Sequence, residues 1–513
     1  MRDPGGLLTE LGLESEIPEH SRLYERTYTT ISLLITVAGL SLIIGVILAW
    51  ITSRWSFPFQ RILSFALILP LTIPSYISAT SYKLLTVDWK NSLSVAYREK
   101  FGAASMMQFD ECWNFTLASL VLTAAFFPYV YIAARAAFTT LSPSYQESAQ
   151  CMGCSSSQVF RRIALPLARP AIVGGVMLVC LETLNEFGAM QILGINTLTT
   201  EIFYVWVNLE DTSAAIRLSG CIMLILLALL VAEQYLRAGK RFHANRNASK
   251  PKLQALKGIK AWSATASCSI VVALCFLLPL YQIVSLASDA MATTSIADFA
   301  PEIGSSIWLA VKASIAVSIV SLFLAYANRI VPHWGMHVLG KISTLGYAIP
   351  GAILGVTIIA AVALLKNSLG SSAFLEFIFY GSTYGLVIAY VIRFLAIGLP
   401  PLEARLKQIH SNLDEASQLL QRNSIYTFFV VHLPMLKHAI LAGALMLFID
   451  IFKELPLTLI LNPSNHETLA TRSYSLFAVE ERYAAGAIPA LLLIVTGIAG
   501  LLVIQGMFSK AKR

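Results

Sequence analysis

Eleven charge-poor apolar stretches, each long enough to cross a bilayer, dominate this 513-residue chain. They lie near 29–52, 62–84, 113–135, 171–194, 213–236, 261–286, 304–328, 342–365, 380–402, 438–461 and 485–508. A hydrocarbon core about 30 Å thick is crossed by roughly 20 residues of helix. The expected fold is therefore all-α and polytopic. Composition agrees: 56% of residues are hydrophobic and 13% charged, where a soluble domain carries about a quarter charged. Mean hydropathy is +0.69. The stretch 213–236 carries Arg217 and Glu233 near its ends, where snorkelling tolerates charge.

The formal net charge of +8 fits a membrane chain that obeys the positive-inside rule, and nucleic-acid binding is not expected. With the loops 136–170 and 403–437 cytoplasmic, the basic residues concentrate on the cytoplasmic side. The outer loop 287–303 has no Lys or Arg but carries Asp289, Asp298 and Glu302. Residues 1–28 read as a polar, Glu-rich tail without the basic-then-apolar pattern of a signal peptide. Counting back from the loop at 136–170 puts that tail outside the cytoplasm, unless a first helix precedes the chain. The seven cysteines form no framework. Cys151 and Cys154 make a lone CxxC, too few ligands for a zinc site.

The basic, polar stretch 237–260 divides the chain into 29–236 and 261–513, and the two halves repeat. Glu147 and Glu415, Pro166 and Pro434, and Glu186 and Glu454 are each 268 positions apart. Pro74 in LTIPSYI matches Pro350 in YAIPGAI, and TLTT at 197–200 matches TLAT at 468–471. The first half has five expected spans and the second has six.

Each half holds one long polar loop of fixed pattern. The first is ESAQCMGCSSSQVFRRIALP, Glu147 to Pro166, with Ala149, Gly153, Ile163 and Leu165 at its landmarks. The second is EASQLLQRNSIYTFFVVHLP, Glu415 to Pro434, with Ala416, Val431 and Leu433. Cap-friendly residues precede each Glu, so each begins a short helix. Gly153 frees the backbone to turn. Gln421 stands at the matching place, where the turn is expected without left-handed geometry. A second segment then runs to Leu-Pro, where proline ends or bends the helix before the next span. The expected product is a surface helix-turn-helix that fills a partner's groove. His432 and His438 nearby are expected to be surface or packing residues.

At these residues the chain resembles the importer-type ATP-binding-cassette (ABC) permeases, whose signature is the EAA loop: Glu-Ala-Ala, three residues, Gly, nine residues, Ile-x-Leu-Pro. The second copy departs from it at Gln421. The resemblance implies a nucleotide-binding partner, a dimeric ABC ATPase, that pushes on both loops. The chain's own Gly-Lys pairs, Gly239-Lys240 and Gly340-Lys341, lack the following Ser or Thr of a phosphate-binding loop. The chain is thus expected to be no enzyme by itself and to bind no cofactor, with ATP used by the partner.

The segments LETLNEFGAMQILGINTLTTEIF and IDIFKELPLTLILNPSNHETLATRSY resemble the fused ferric-iron permeases that work with a periplasmic iron-binding protein. The resemblance implies a multi-pass protein of the bacterial inner membrane, in contact with lipid. Glu182, Glu186, Asp450 and Glu454 are ionisable groups at or near membrane depth. Two readings stand open for them. Carboxylates suit a hard cation, so Glu186 and Glu454 could flank a translocation path. Alternatively Glu454 pairs with Lys453 or Lys312, and Glu186 caps a helix end. Rival functions are a permease for thiamine or another small organic cation, an ion-coupled secondary transporter, whose repeats place broken helices at the midplane, and a membrane scaffold without transport.

Overall fold

A computed structural model of the protein describes residues 20–140, 151–209, 211–237, 253–330, 345–369, 382–410, 412–463 and 466–510, with a few positions between 334 and 379. It divides into two compact units, Met1–Ser285 and Leu286–Arg513. The basic stretch between the sequence halves lies mostly outside the described residues.

The first unit begins with α1, His20–Arg54. The helix starts inside the expected polar tail because its polar turns are satisfied locally. Thr27 and Thr30 hydroxyls donate to the carbonyls of Leu23 and Arg26, and Arg26 pairs with Glu201 at 3.2 Å. Next come α2 (Gln60–Ala66), α3 (Ser75–Phe101) and α4 (Met106–Thr140). The short helix α5 (Ser156–Val159) leads into α6 (Leu165–Asn185). Then follow α7 (Gly188–Leu193), α8 (Leu198–Asn208) and α9 (Thr212–Arg237). After the basic stretch, α10 (Ile259–Val272) and α11 (Leu278–Ala290) form one long apolar rod.

The second unit repeats most of this order: α12 (Ala300–Ile330), α13 (Gly351–Leu369), α14 (Tyr384–Leu406), α15 (Asn412–Leu419), α16 (Ser424–Thr427), α17 (Leu433–Phe452), α18 (Pro456–Leu461), α19 (Leu469–Ala478) and α20 (Tyr483–Lys510). Each unit is built on three mutually packed helices, α1, α4 and α6 in one and α12, α14 and α17 in the other. The flanking contacts repeat as well. The helices after each break, α7 and α18, pack on α3 and α13, while α8 and α19 pack on α9 and α20. Even single hydrogen bonds recur. Thr30 accepts the Leu198 N–H at 3.0 Å, and Ser306 accepts the Leu469 N–H at 2.7 Å. The TLTT and TLAT segments both cap the helices they start, through Thr197 with Thr200 and Thr468 with Thr471.

Nine helices among the described residues are long and apolar enough to cross a membrane. They account for nine of the eleven expected stretches, and the other two are altered at proline. The stretch 62–84 is a pair of helices bent by 95° between Thr72 and Ser75, and 342–365 shortens to an apolar helix beginning at Gly351. Pro74 and Pro350 cause both changes, since each removes a backbone donor and restricts the residue before it. Two more stretches end early. Those expected to reach 194 and 461 stop at Asn185 and Phe452, and a short helix follows each break.

The rod of α10 and α11 has no counterpart among the described residues of the first half. It packs within the first unit, against α2, the Leu69–Thr72 turn and α4. Thr265 donates to the Pro58 carbonyl at 3.2 Å, Ser81 to the Pro279 carbonyl at 3.4 Å and Tyr82 to the Leu274 carbonyl. Two residues ahead of it, Gln254–Ala255, pair in parallel with Trp55–Ser56 and fasten its start. The repeat in the sequence and the packing of the chain therefore divide at different places.

Candidate functional site

The two polar loops differ in what is described. Glu147 and Ala149 lie outside the described residues, while the first loop is described from Cys151 and the second from Asn412. Gly153 has φ +80°, a conformation that glycine adopts without steric cost. Gln421, at the same place, has φ +54°. This corrects the expectation of an ordinary turn there. The cause is the end of α15: Arg422 N–H bonds the Ser417 carbonyl at 3.0 Å and Gln421 N–H bonds the Gln418 carbonyl at 2.8 Å. That pair of bonds satisfies the last carbonyls of a helix and demands a left-handed residue at its centre. Glutamine accepts the conformation because the bonds require it.

Past the turn, both loops start a helix with a side-chain cap. Ser155 accepts the Gln158 N–H, and Asn423 accepts the Tyr426 N–H at 2.8 Å. Neither helix stops at its proline. Each passes through a five-residue π turn, Phe160–Ala164 or Phe428–His432, and becomes the next span. In the two turns Leu165 and Leu433 N–H groups bond carbonyls five residues back, at Phe160 and Phe428. Pro166 and Pro434 come next and have no N–H to give, so widening the helix by one residue admits the ring without a break. The expected end at Leu-Pro is thus a continuous rod, with Ile163 and Val431 inside the turns.

One aromatic contact is repeated at each turn. Trp50 of α1 lies 5.0 Å from Phe160, and Tyr326 of α12 lies 4.7 Å from Phe428. Unit 2 adds an ionic clamp. Asp414 receives the Arg329 Nη2 at 2.6 Å and meets the His432 Nε2 at 2.7 Å. Arg329 also donates to the carbonyls of Leu406 and Ile409, at 2.5 and 3.1 Å. Burial pushes the Asp414 carboxyl up, but the hydrogen bonds and charges of Arg329 and His432 outweigh it and hold it below its ordinary value. His432 is fully buried, so it is an internal partner of Asp414 rather than a surface residue. Ser417 and Thr427 join the loop's two helices by a 2.5 Å hydrogen bond.

Glu415 and Ala416 are exposed, as are Leu419 on the same helix, Leu420 just after it and Met152 in the first loop.

The membrane-depth carboxylates sit at the helix breaks. Glu186 Oε1 accepts the Ala189 N–H at 2.8 Å and its Oε2 accepts the Ser75 hydroxyl at 2.5 Å. Glu454 accepts the N–H groups of Leu457 and Thr458, both at 3.0 Å, and the Thr458 hydroxyl at 2.6 Å. Thr458 also meets the buried Tyr390 hydroxyl at 2.5 Å. Both glutamates therefore hold the first turn of a short helix. The proposed pairing of Glu454 with a lysine is not what forms: Lys453 pairs with Asp450 at 3.0 Å, and Lys312 donates to Thr383 at 2.8 Å. Backbone donors at a helix start are fixed in place and need no flexible side chain to be ordered. Glu182, one turn before the first break, is half-buried. No group of three or more potential metal ligands occurs among the described residues.

Residues 41–240 match the family of binding-protein-dependent transport system inner membrane components. A permease protein of an Fe(3+)-transport system from Haemophilus influenzae is 24% identical over 500 residues, covering 95% of this chain and 91% of the relative. A sulfate transport system permease from Salmonella typhimurium is 28% identical over 209 residues, 39% of this chain and 72% of the relative. A molybdenum transport system permease from Haemophilus influenzae is 29% identical over 161 residues, 31% of this chain and 67% of the relative. The partial matches fit a chain in which one permease unit is present twice, and the long match fits the fused form. With its apolar spans and these relatives, the chain is a multi-pass inner-membrane permease of the ABC importer type, and its residues 41–240 carry the match to the binding-protein-dependent transport system inner membrane components.

Proposed function

We propose that this permease imports ferric iron, handed over by a periplasmic iron-binding protein and driven by a separate dimeric ABC ATPase. The observation that carries the substrate is the end-to-end likeness to an Fe(3+)-transport permease, which spans both units and the segment between them. The coupling surface is the pair of loops. Glu147, Ala149 and Gly153 lead one loop, and Glu415 and Ala416 lead the other. Their force passes through Ile163, Leu165 and Pro166, and through Val431, Leu433 and Pro434, into the spans behind. ATP binds the partner and no cofactor is held by this chain. Glu186 and Glu454 act as positioning residues that keep the helix breaks formed, beside Glu182 and Asp450.

The deciding experiment is uptake of labelled ferric iron, sulfate and thiamine in cells lacking this chain, with and without its return. Iron uptake restored by the chain and lost with Glu415→Arg supports the reading; restored sulfate uptake without iron uptake overturns it. The second reading, an oxyanion importer, is favoured by the sulfate and molybdenum permease relatives. Glu186→Gln with Glu454→Gln tests the carboxylates. A positioning role leaves partial uptake, because an amide oxygen still accepts one backbone N–H. A charge-based path role abolishes uptake in a protein of unchanged folding.

A further inference from the structure

The two helix breaks are built alike except at one point. In the first unit, Ser75 at the start of α3 donates to Glu186, and α4 carries the small, buried Ala125. In the second unit the residue matching Ser75 is Gly351 at the start of α13, and the residue matching Ala125 is Arg393 on α14. Arg393 is 6% exposed, and its Nε and Nη1 have no hydrogen-bond partner. The guanidinium occupies the room that the missing side chain leaves. A Cβ on Gly351 would fall inside van der Waals contact with Arg393 Nη1, and 3.1 Å from Glu454 Oε1.

Three sources of charge converge there. The first ladder bond of the 19-residue helix α13 is Leu354 N–H to the Pro350 carbonyl, so the N–H groups of Gly351, Ala352 and Ile353 precede the ladder and carry its positive end. Arg393 adds a full positive charge with two unsatisfied donors. Glu454 supplies one negative charge, but its oxygens already accept three hydrogen bonds from Leu457 and Thr458. Leaving a buried guanidinium donor unpaired costs more than a neutral one. The Phe394 ring, 5.7 Å from the guanidinium carbon, offers no acceptor for a hydrogen bond in the plane of the group.

From this geometry we propose that Arg393 and the start of α13 form an anion site, which takes an oxyanion or carboxylate oxygen during transport. The inference rests on the reading of the chain as an import permease. An arginine repels a bare ferric ion at this depth, so iron passes the second unit with an anionic ligand attached. A free oxyanion cargo has the same chemistry. The first unit has no such site, since Glu186 and Ser75 complete one another.

The test uses the full chain with its ATPase subunit in lipid nanodiscs. Saturable binding of radiolabelled sulfate, displaced by citrate, is expected. Arg393→Gln should weaken it about tenfold or more, the loss of one charge-assisted hydrogen bond. Arg393→Lys should weaken it less, because a single ammonium keeps the charge without the fork. Gly351→Ser, which installs the first unit's side chain, should weaken it too and serves if Arg393→Gln does not fold. Absence of saturable binding by the folded wild type, or unchanged binding in Arg393→Gln, would overturn the site, which then holds water alone. Uptake separates the two anion sources. Loss of iron-citrate uptake in Arg393→Gln, without sulfate transport by the wild type, identifies the anion as iron's ligand. Sulfate uptake by the wild type identifies it as cargo. Wild-type iron uptake with no anion binding defeats this inference and leaves the proposed function standing.

Discussion

The polar loops of the two units reach the same shape through different forces. In the first unit the loop is fastened by rings: Trp50 lies against Phe160 and also against Phe138 at 5.2 Å. In the second, Tyr326 takes the place of Trp50, and Leu406 that of Phe138. The lost aromatic area is made up by Arg329, Asp414 and His432. The matching residues of the first half offer no such charges, with Gln146 and Ala164 in place of Asp414 and His432. Apolar packing holds at any pH and most salt concentrations. An ion cluster depends on both, and it is directional. The comparison shows that duplication preserved the positions of contact and left their chemistry free to diverge.

Removing the rings should give the largest effect. Trp50 is 8% exposed, and Trp50→Ala should destabilise the protein by about 3 kcal/mol. Tyr326→Ala should cost less, because the ionic clamp remains. Hydrogen exchange over 156–164 and 424–432 reads the two loops separately; equal losses would contradict the division of labour. Asp414→Ala strands Arg329 and buried His432 and should cost about 2–3 kcal/mol, seen as a lower melting temperature and faster exchange in the second loop alone.

Acid should discriminate between the loops as well. The Asp414 carboxyl is held below its ordinary value, so its contribution is complete above the unfolded carboxylate value of about 4 and falls as pH drops through the lowered one. Exchange in the second loop, after correction for intrinsic rates, should therefore rise below about pH 4. The first loop should show no such rise from this cause. The shared hydrogen bonds set the baseline. Thr30→Ala and Ser306→Ala each remove the acceptor of one buried N–H and should cost about 1 kcal/mol apiece. The turns come last. Gln421→Gly should be neutral to stabilising by up to about 1 kcal/mol and Gly153→Ala destabilising by a similar amount, since only glycine is free of strain at positive φ.

Much of this was legible in the sequence. The nine long spans, the repeat and the two loops all follow from apolar run length and from landmarks at fixed spacing. The breaks were not, because apolar composition continues through Glu186 and Glu454 and hides the change from span to short helix. Pro74 and Pro350 were visible signals there, read as landmarks of the repeat and not as breaks. Left-handed Gln421 was hidden because a helix-ending bond pattern, not residue type, dictates it. The ionic clamp joins residues 85 and 18 positions apart, and no local pattern announces it. Arg393 carries no local signal of its place either: it lies inside an apolar run, and only the gap at Gly351 shows where its head goes.

The rod of α10 and α11 carries a consequence for biosynthesis. Its sequence follows the basic stretch, yet it packs in the unit translated before that stretch. The first unit therefore stays incomplete at the ribosome until residue 285 has been made, and Pro58, Ser81 and Tyr82 wait for their partners in the meantime. A gene cut between codons 237 and 253 would send this rod out on the wrong fragment. The upstream fragment alone should be degraded, and co-expression of the downstream fragment should rescue it. Continuity of the chain is then an assembly device: it delivers the last helix of one unit at the moment the next begins to fold.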